Sequence, residues 1–381
     1  MAGRLPLAVL SLAVCLLTSG CWSSTEIQSN SYAKAIGLDY KDGMYYAFVQ
    51  FLDFTTVSKG EGVTDEKPSV WVGKGRGKTL SMAINELYRS EQMRMTWGHV
   101  SAYVLSDSLL KAGKVEDVMD MFIRYPETRY TIWLYGTSEP MNELLSMSSI
   151  FDESPLESIL HNPLPSYKED SQYPSVMAFQ FISDIRSKYG NGYLPNIAIN
   201  KSVWSENNKN KPLYFIDGAY FRKDEAFEYM PHTKMGGFPW LQPEMRKIQI
   251  LLKKDDTLYG SVSLGLPNMK IKSVVVNGEP KFRISIRFYG ALYEYFKELP
   301  YDEMTKLIED DLQERIEQTF QAGVAKGIDV MNLGEQLYRT HPDVWRKETE
   351  QGTKPFLNKH SLERVDVKVE VIYNGKYKRR K

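Results

Sequence analysis

The sequence predicts an α+β protein of about three mixed α/β sections, and three observations carry that expectation. Strand-like and helix-like segments alternate along residues 33–187 instead of segregating. After residue 247, a set of strand-like runs is followed by one long helical pattern and a final alternating run. The one long uncharged apolar run, Leu5–Leu17, has 13 residues. Crossing a bilayer takes about 20, so the body is not polytopic. The expected divisions are a signal segment at 1–20, an N-terminal mixed α/β domain at 21–189, a small middle domain at 190–246 and a C-terminal α+β domain at 247–381. In the last, an antiparallel sheet is packed by one long helix.

The first domain opens with two strands, Ala33–Leu38 and Met44–Phe54, around the turn Lys41-Asp42-Gly43. Val70-Trp71-Val72 is a short strand, and a helix over 80–92 places Leu80, Ala83, Ile84, Leu87 and Tyr88 on one face. Val100–Leu105 is a strand, with Ser106 or Asp107 capping the next helix. Val115, Val118, Met119 and Phe122 form the stripe of another helix. Arg129–Tyr135 is a strand, Glu139–Met147 a helix, and the proline-rich 151–174 a long loop. A helix over 175–187 packs on Phe179, Ile182 and Ile185. In the middle section, strands are expected at Leu194–Ile199 and Leu213–Phe221.

The C-terminal section is the most regular. Strands are expected at Lys247–Leu252, Leu258–Leu264, Ile271–Val276 and Phe282–Tyr289, with Asn277-Gly278 as a hairpin turn. Met304, Ile308, Leu312, Ile316, Phe320 and Val324 recur every four residues along a helix from about Asp302 to Lys326, and Gly327 can close it. Val365, Val367, Val369 and Val371 alternate with Asp366, Lys368 and Glu370 as a last strand.

The N-terminus sets the compartment. Arg4 and the amino terminus precede the apolar run, Thr18-Ser19-Gly20 are small, and Cys21 follows. That is the layout of a secretory signal, and a cysteine directly after the small residues is the acceptor pattern of a bacterial lipoprotein. This reading is preferred to a membrane span and to a cleaved signal without lipid. Two or three acyl chains hold a protein firmly where one does not, so Cys21 is the candidate lipidation site. Cys15 leaves with the signal, so no free thiol remains for disulfides, nucleophilic catalysis or thiolate metal sites.

Lys plus Arg and Asp plus Glu both number 48. Removing residues 1–20 takes away Arg4 alone and leaves 47 against 48. This balance gives no electrostatic case for nucleic acid. The run Gly73 to Thr79, GKGRGKT, imitates a phosphate loop, but position 72 is valine where the motif needs glycine. It is read as a flexible strand-to-helix turn. His99, His161, His232, His341 and His360 are scattered, with no pair at ligand spacing. They are read as structural, and no catalytic residue, cofactor or metal is expected. The basic end Lys376 to Lys381 suits a solvated tail or contact with anionic lipid or an acidic partner.

Several short motifs, in order along the whole chain, resemble the Ger(x)C family of spore-germination lipoproteins. They are Cys21-Trp22, Ile36-Gly37-Leu38-Asp39, Gly77-Lys78-Thr79-Leu80 with Ala83, Trp97-Gly98-His99 and Arg124-Tyr125-Pro126-Glu127. Gly218-Ala219-Tyr220-Phe221, Gly237-Phe238-Pro239-Trp240-Leu241, and Asp329, Gly334, Pro342 and Trp345 before the valine strand complete the set. The resemblance implies a non-enzymatic subunit of a nutrient germinant receptor. It would be held by lipid on the outer face of the inner spore membrane and would act with two integral membrane subunits, A and B. A substrate-binding lipoprotein of a transporter is the alternative, but it would show two similar lobes where this chain has three unlike sections.

Overall fold

The computed structural model describes residues 30–52, 69–124, 127, 129–152 and 154–372. Strands β1 (Asn30–Lys41) and β2 (Met44–Leu52) form a hairpin. Asp42 and Gly43 both take positive φ, 53° and 72°, in the two-residue turn whose twist suits antiparallel strands. There follow β3 (Val70–Gly77), α1 (Leu80–Leu87), β4 (Arg94–Thr96), β5 (Ala102–Ser106), α2 (Asp107–Lys111), α3 (Val115–Arg124), β6 (Trp133–Thr137) and α4 (Met141–Leu145). Ser106 caps α2, its hydroxyl accepting the Leu109 N–H at 3.1 Å. Next come α5 (Leu164–Glu169), β7 (Val176–Met177), α6 (Ala178–Arg186), β8 (Leu194–Asn200), the short pair β9 (Ser205–Glu206) and β10 (Lys209–Asn210), β11 (Leu213–Lys223) and β12 (Ala226–Met230).

Ten of these strands make one sheet. Its order is β12-β11-β8-β6-β5-β1-β2-β3, with β4 beside β1 and β7 beside β6. The central strands β1, β5, β6 and β8 run parallel, and the outer pairings β1–β2, β2–β3, β8–β11 and β11–β12 are antiparallel. Parallel strands are covered on both faces, and the alternation shows it. Ile36, Leu38, Tyr103 and Leu105 meet α1, α2, α3 and α6. Ala35, Ala102 and Val104 meet Met141, Leu144 and Leu145 of α4 on the other side.

Besides α5 (Leu164–Glu169), which lies inside the expected loop 151–174, two expectations for this region change. In α6 it is Phe181 that is buried, with Ile182 and Ile185, while Phe179 is 47% exposed. The helix starts at Ala178, and its inward stripe runs Ala178, Phe181, Ile182, Ile185, which turns position 179 to solvent. The second change concerns the glycine run and is described below.

The second sheet is β13 (Ile248–Lys254), β14 (Thr257–Val276), β15 (Glu279–Tyr295) and, after the helices, β16 (Leu362–Ile372), in that order. The first three are antiparallel, and β16 pairs parallel with β15. The two runs expected at 258–264 and 271–276 are one strand, β14, carried through an irregularity between Gly265 and Asn268. Leu266 takes φ 51° there, and Pro267 sits in the irregularity, a place where proline's missing N–H is tolerated. Asn277 and Gly278 form the turn, with φ 53° and 86°.

Helix α7 (Tyr301–Lys326) lies on the inner face of this sheet, followed by α8 (Leu333–Thr340) and α9 (Pro342–Glu348). Met304, Ile308, Leu312, Ile316 and Phe320 are at most 2% exposed, and Val324 is half-buried. Burying a side chain of this size stabilises by about 1.5–3 kcal/mol. Gly327 ends the helix in the left-handed conformation, φ 71°. Ala219 and Phe221 of β11 share this core with Ile284, Phe288 and Val367, so the edge of the large sheet and the second sheet are packed together.

Candidate functional site

The glycine run is strand, not turn. Residues 70–77 pair one by one with β2, from Val70 opposite Leu52 to Gly77 opposite Tyr45, so only Lys78 and Thr79 lie between strand and helix. Gly73, Gly75 and Gly77 fall at period two and face α1. A Cβ on Gly75 would stand 2.0 Å from the Ala83 carbonyl oxygen, and one on Gly77 would stand 2.6 Å from the Ala83 nitrogen. The glycines therefore let the helix lie directly on the strand backbone. A phosphate loop instead gathers free N–H groups around an anion. Here the Arg76 N–H goes to Glu86 Oε2 at 2.5 Å, and the Thr79 hydroxyl caps α1 by accepting the Met82 N–H at 3.2 Å.

The five histidines stay apart, and among the described residues no group of His, Cys, Asp or Glu could hold a metal ion. His161 is the most deeply set. Its Nδ1 lies 2.6 Å from the Ser101 hydroxyl and its Nε2 lies 3.0 Å from Gln50 Oε1. The Gln50 amide donates to the Leu145 carbonyl at 2.8 Å, so Oε1 is an acceptor and His161 carries its proton on Nε2. The Ser101 hydroxyl then donates to Nδ1. Burial, with a smaller effect of the Lys34 charge, pushes the imidazole down to about 3, so it is neutral. The network joins β2, the start of β5 and the segment before α5. His232 meets the Tyr173 hydroxyl at 3.0 Å, His341 meets Ser273 at 3.1 Å, and His99 stands edge-on to Tyr32. Each is in a different place and serves packing.

A cleft of about 460 Å³ opens where the segment before β8, the turn at 238–243, β14 and α8 meet. Tyr193, Phe238 and Met269 form apolar walls, and Asn332, Glu335 and Arg339 supply the polar rim. Glu335 is already engaged: Asn332 Nδ2 donates to it at 2.6 Å, and Arg339 pairs with it at 2.6 Å. Behind the cleft, Asp184 accepts the Gly192 N–H and Asp329 accepts the Gly334 N–H, both at 2.6 Å. Burial raises both carboxyl pKa values against the opposing pull of those backbone bonds. Both acids hold loops in place through these bonds. Sequence reading singled out Asp329 and Gly334 but not their bond, and it passed over Asp184. The one local signal is the five-residue spacing of Asp329 and Gly334, with Asn332 between them in the left-handed conformation, φ 52°.

Cys21, the expected lipid acceptor, lies outside the described residues, as do Tyr125, Pro126 and the basic end at 376–381. Among the described residues no helix is long and apolar enough to cross a membrane.

Comparison with known proteins agrees with this architecture. Residues 23–199 match the family described as "Spore germination protein N-terminal domain", and residues 216–375 match "Spore germination B3/ GerAC like, C-terminal". The chain is 24% identical to spore germination protein KC of Bacillus subtilis over 97% of its length and 95% of that protein's. It is 23% identical to spore germination protein B3 of the same organism, over 88% of each. The crystal structure of the GerBC protein superposes with a TM-score of 0.52 at 15% identity, covering 91% of this chain and all of that one, and shows the same fold. With both halves matched in order, the chain belongs to the Ger(x)C family of germinant-receptor subunits.

Proposed function

We propose that this chain is the lipid-anchored C subunit of a nutrient germinant receptor, tied through Cys21 to the outer face of the inner spore membrane and assembled there with the A and B integral membrane subunits. One observation carries the reading: the family match begins at residue 23, two residues after the cysteine that follows the only long apolar run. The family match thus starts two residues after the one that a lipoprotein cut would leave as the new amino terminus. The subunit works by binding and placement, without catalysis. In support, the phosphate-loop look-alike is spent on helix packing, and the deepest histidine is spent on a buried network. The absence of a span among the described residues suits a body held by acyl chains. Confinement at the membrane raises the effective concentration of partners.

The deciding experiment is intact-mass analysis of the mature protein from spore membranes, with co-purification of its partners in detergent. An amino terminus at Cys21 carrying diacylglycerol, together with recovery of both membrane subunits, is the expected result. An unmodified Cys21 or a different amino terminus overturns the anchor. A properly lipidated protein recovered alone overturns the assembly. Recovery with a transporter would favour the substrate-binding lipoprotein, which the comparisons do not favour.

A further inference from the structure

We infer that the outer edge of β3 is a docking site for an extended acidic segment of a partner protein, which adds to the large sheet as one more strand. β3 is the last strand on its side, and among the described residues no strand pairs with its outer edge. In an antiparallel pair, alternate residues turn their backbone groups toward the neighbouring strand and the others turn away. The Arg76 N–H goes to Glu86, not to β2. Arg76 and the residues in phase with it, Lys74, Val72 and Val70, therefore turn their N–H and C=O groups outward. Glu86 covers this edge at Arg76, and among the described residues nothing pairs with the stretch from Val70 to Lys74.

The side chains beside that stretch select the occupant. Lys74 and Arg76 project from the same face, and Lys78 follows directly after the strand. All three are exposed, and among the described residues none of the three forms an ion pair. Lys74 is steadied by the rings of Tyr46 and Phe48, 5.2 and 5.4 Å from its Nζ, so its charge is held over the sheet and does not sweep through solvent. Cations spaced two residues apart match carboxylates spaced two apart on a neighbouring strand. The opposite face offers apolar cover, with Trp71 at 71% and Met82 of α1 at 57% exposure. An edge shaped only to resist aggregation carries charge or proline and hides its apolar side chains. Here Trp71 of the edge and Met82 of α1 are in the open beside backbone groups that no described strand pairs, the combination that strand addition uses. The site deepens the receptor reading by naming an assembly surface. It rests on that reading only for which protein supplies the segment.

The test uses the mature full-length protein in detergent and a fluorescent peptide about as long as β3, alternating glutamate with valine. Saturable binding is expected, with slowed hydrogen exchange at the Val72 and Lys74 amides. Val72→Pro removes one outward N–H and should weaken binding about tenfold. Charge reversal at Lys74 and Arg76 should do at least as much. The same peptide N-methylated at alternate residues keeps its charge but cannot pair, and it should bind wild-type protein about tenfold more weakly. This arm needs no mutant to fold. Absence of peptide binding, or equal binding of the N-methylated peptide, overturns the inference. So does binding to anionic phosphatidylglycerol vesicles that charge reversal abolishes and Val72→Pro leaves intact, since the edge would then be a membrane contact. The Cys21 mass is independent of all these outcomes, so failure here leaves the anchor standing.

Discussion

Gly237 lies flat against Ile316 of α7: a Cβ at position 237 would stand 2.4 Å from the Ile316 Cα. The Gly237 N–H also donates to the Thr319 hydroxyl one helical turn on, at 2.8 Å. The segment after β12 is thereby fastened to the long helix by backbone contact and by one buried hydrogen bond.

Two substitutions separate these effects. Gly237→Ala should destabilise by about 1–3 kcal/mol through overpacking, because the obstacle is helix backbone that cannot move aside. Thr319→Val keeps the shape but leaves the Gly237 N–H without an acceptor, and it should cost about 1–3 kcal/mol. Urea unfolding measures both. A neutral Gly237→Ala would show that the segment does not sit on the helix.

The buried stripe of α7 predicts a contrast between its faces. Ile316→Ala and Phe320→Ala should each cost about 2–5 kcal/mol, since both side chains are at most 1% exposed. Asp310→Ala breaks only the exposed pair with Lys306 and should cost about 0.3–0.5 kcal/mol. Similar losses at both sets would mean that the helix face is misassigned.

The glycines of β3 predict a packing phenotype and no nucleotide chemistry. Gly75→Ala should destabilise by about 1–3 kcal/mol. Lys78→Ala should leave stability within about 0.5 kcal/mol, because Lys78 is exposed. Calorimetry with magnesium and ATP should show no binding to the wild type. Micromolar binding abolished by Lys78→Ala would contradict the packing role.

His161 predicts an acid limb of stability. Its unfolded value is 6.5 and its folded value about 3. Between these, the unfolded state binds the extra proton. The contribution is therefore complete above pH 6.5 and is lost as pH falls toward 3, by on the order of a few kcal/mol at pH 4. His161→Leu should cost about 1–3 kcal/mol at pH 7, because it strands Gln50 Oε1, while the Ser101 hydroxyl can turn to the Lys34 carbonyl 3.2 Å away, and it should flatten the acid limb. Unfolding curves at pH 7 and pH 4 decide it. An unchanged pH slope in the variant would show that another group carries the effect.

The parts of the fold that were legible are those whose signal is local. The four-residue stripe of α7 and the valine alternation of β16 each mark one buried face, and the structure buries Ile316 and Val367 accordingly. The Asn277-Gly278 turn needs positive φ at both residues, which its composition announces. Elsewhere local preference and tertiary demand disagree. Three glycines in five residues read as a turn because glycine has little intrinsic strand preference. They form a strand because α1 leaves no room for a Cβ. The runs 258–264 and 271–276 read as two strands, yet β14 passes through Pro267 as one by way of an irregularity. The cleft was not legible at all, since its residues come from four separate segments, and neither the Asp184–Gly192 nor the Asp329–Gly334 bond leaves a periodic trace.

The parallel seating of β16 on β15 has a kinetic consequence. Ile286 pairs with Val367, and the whole of α7, α8 and α9 intervenes. Such a contact closes only after a long loop has been ordered, which slows folding. Until it closes, the apolar edge of β15 stays open to any strand that arrives first, including one from a neighbouring copy. Folding of this half is then a race between a distant native partner and nearby wrong ones. A chaperone that delays collapse until β16 has emerged would raise the yield without touching the stability of the finished molecule.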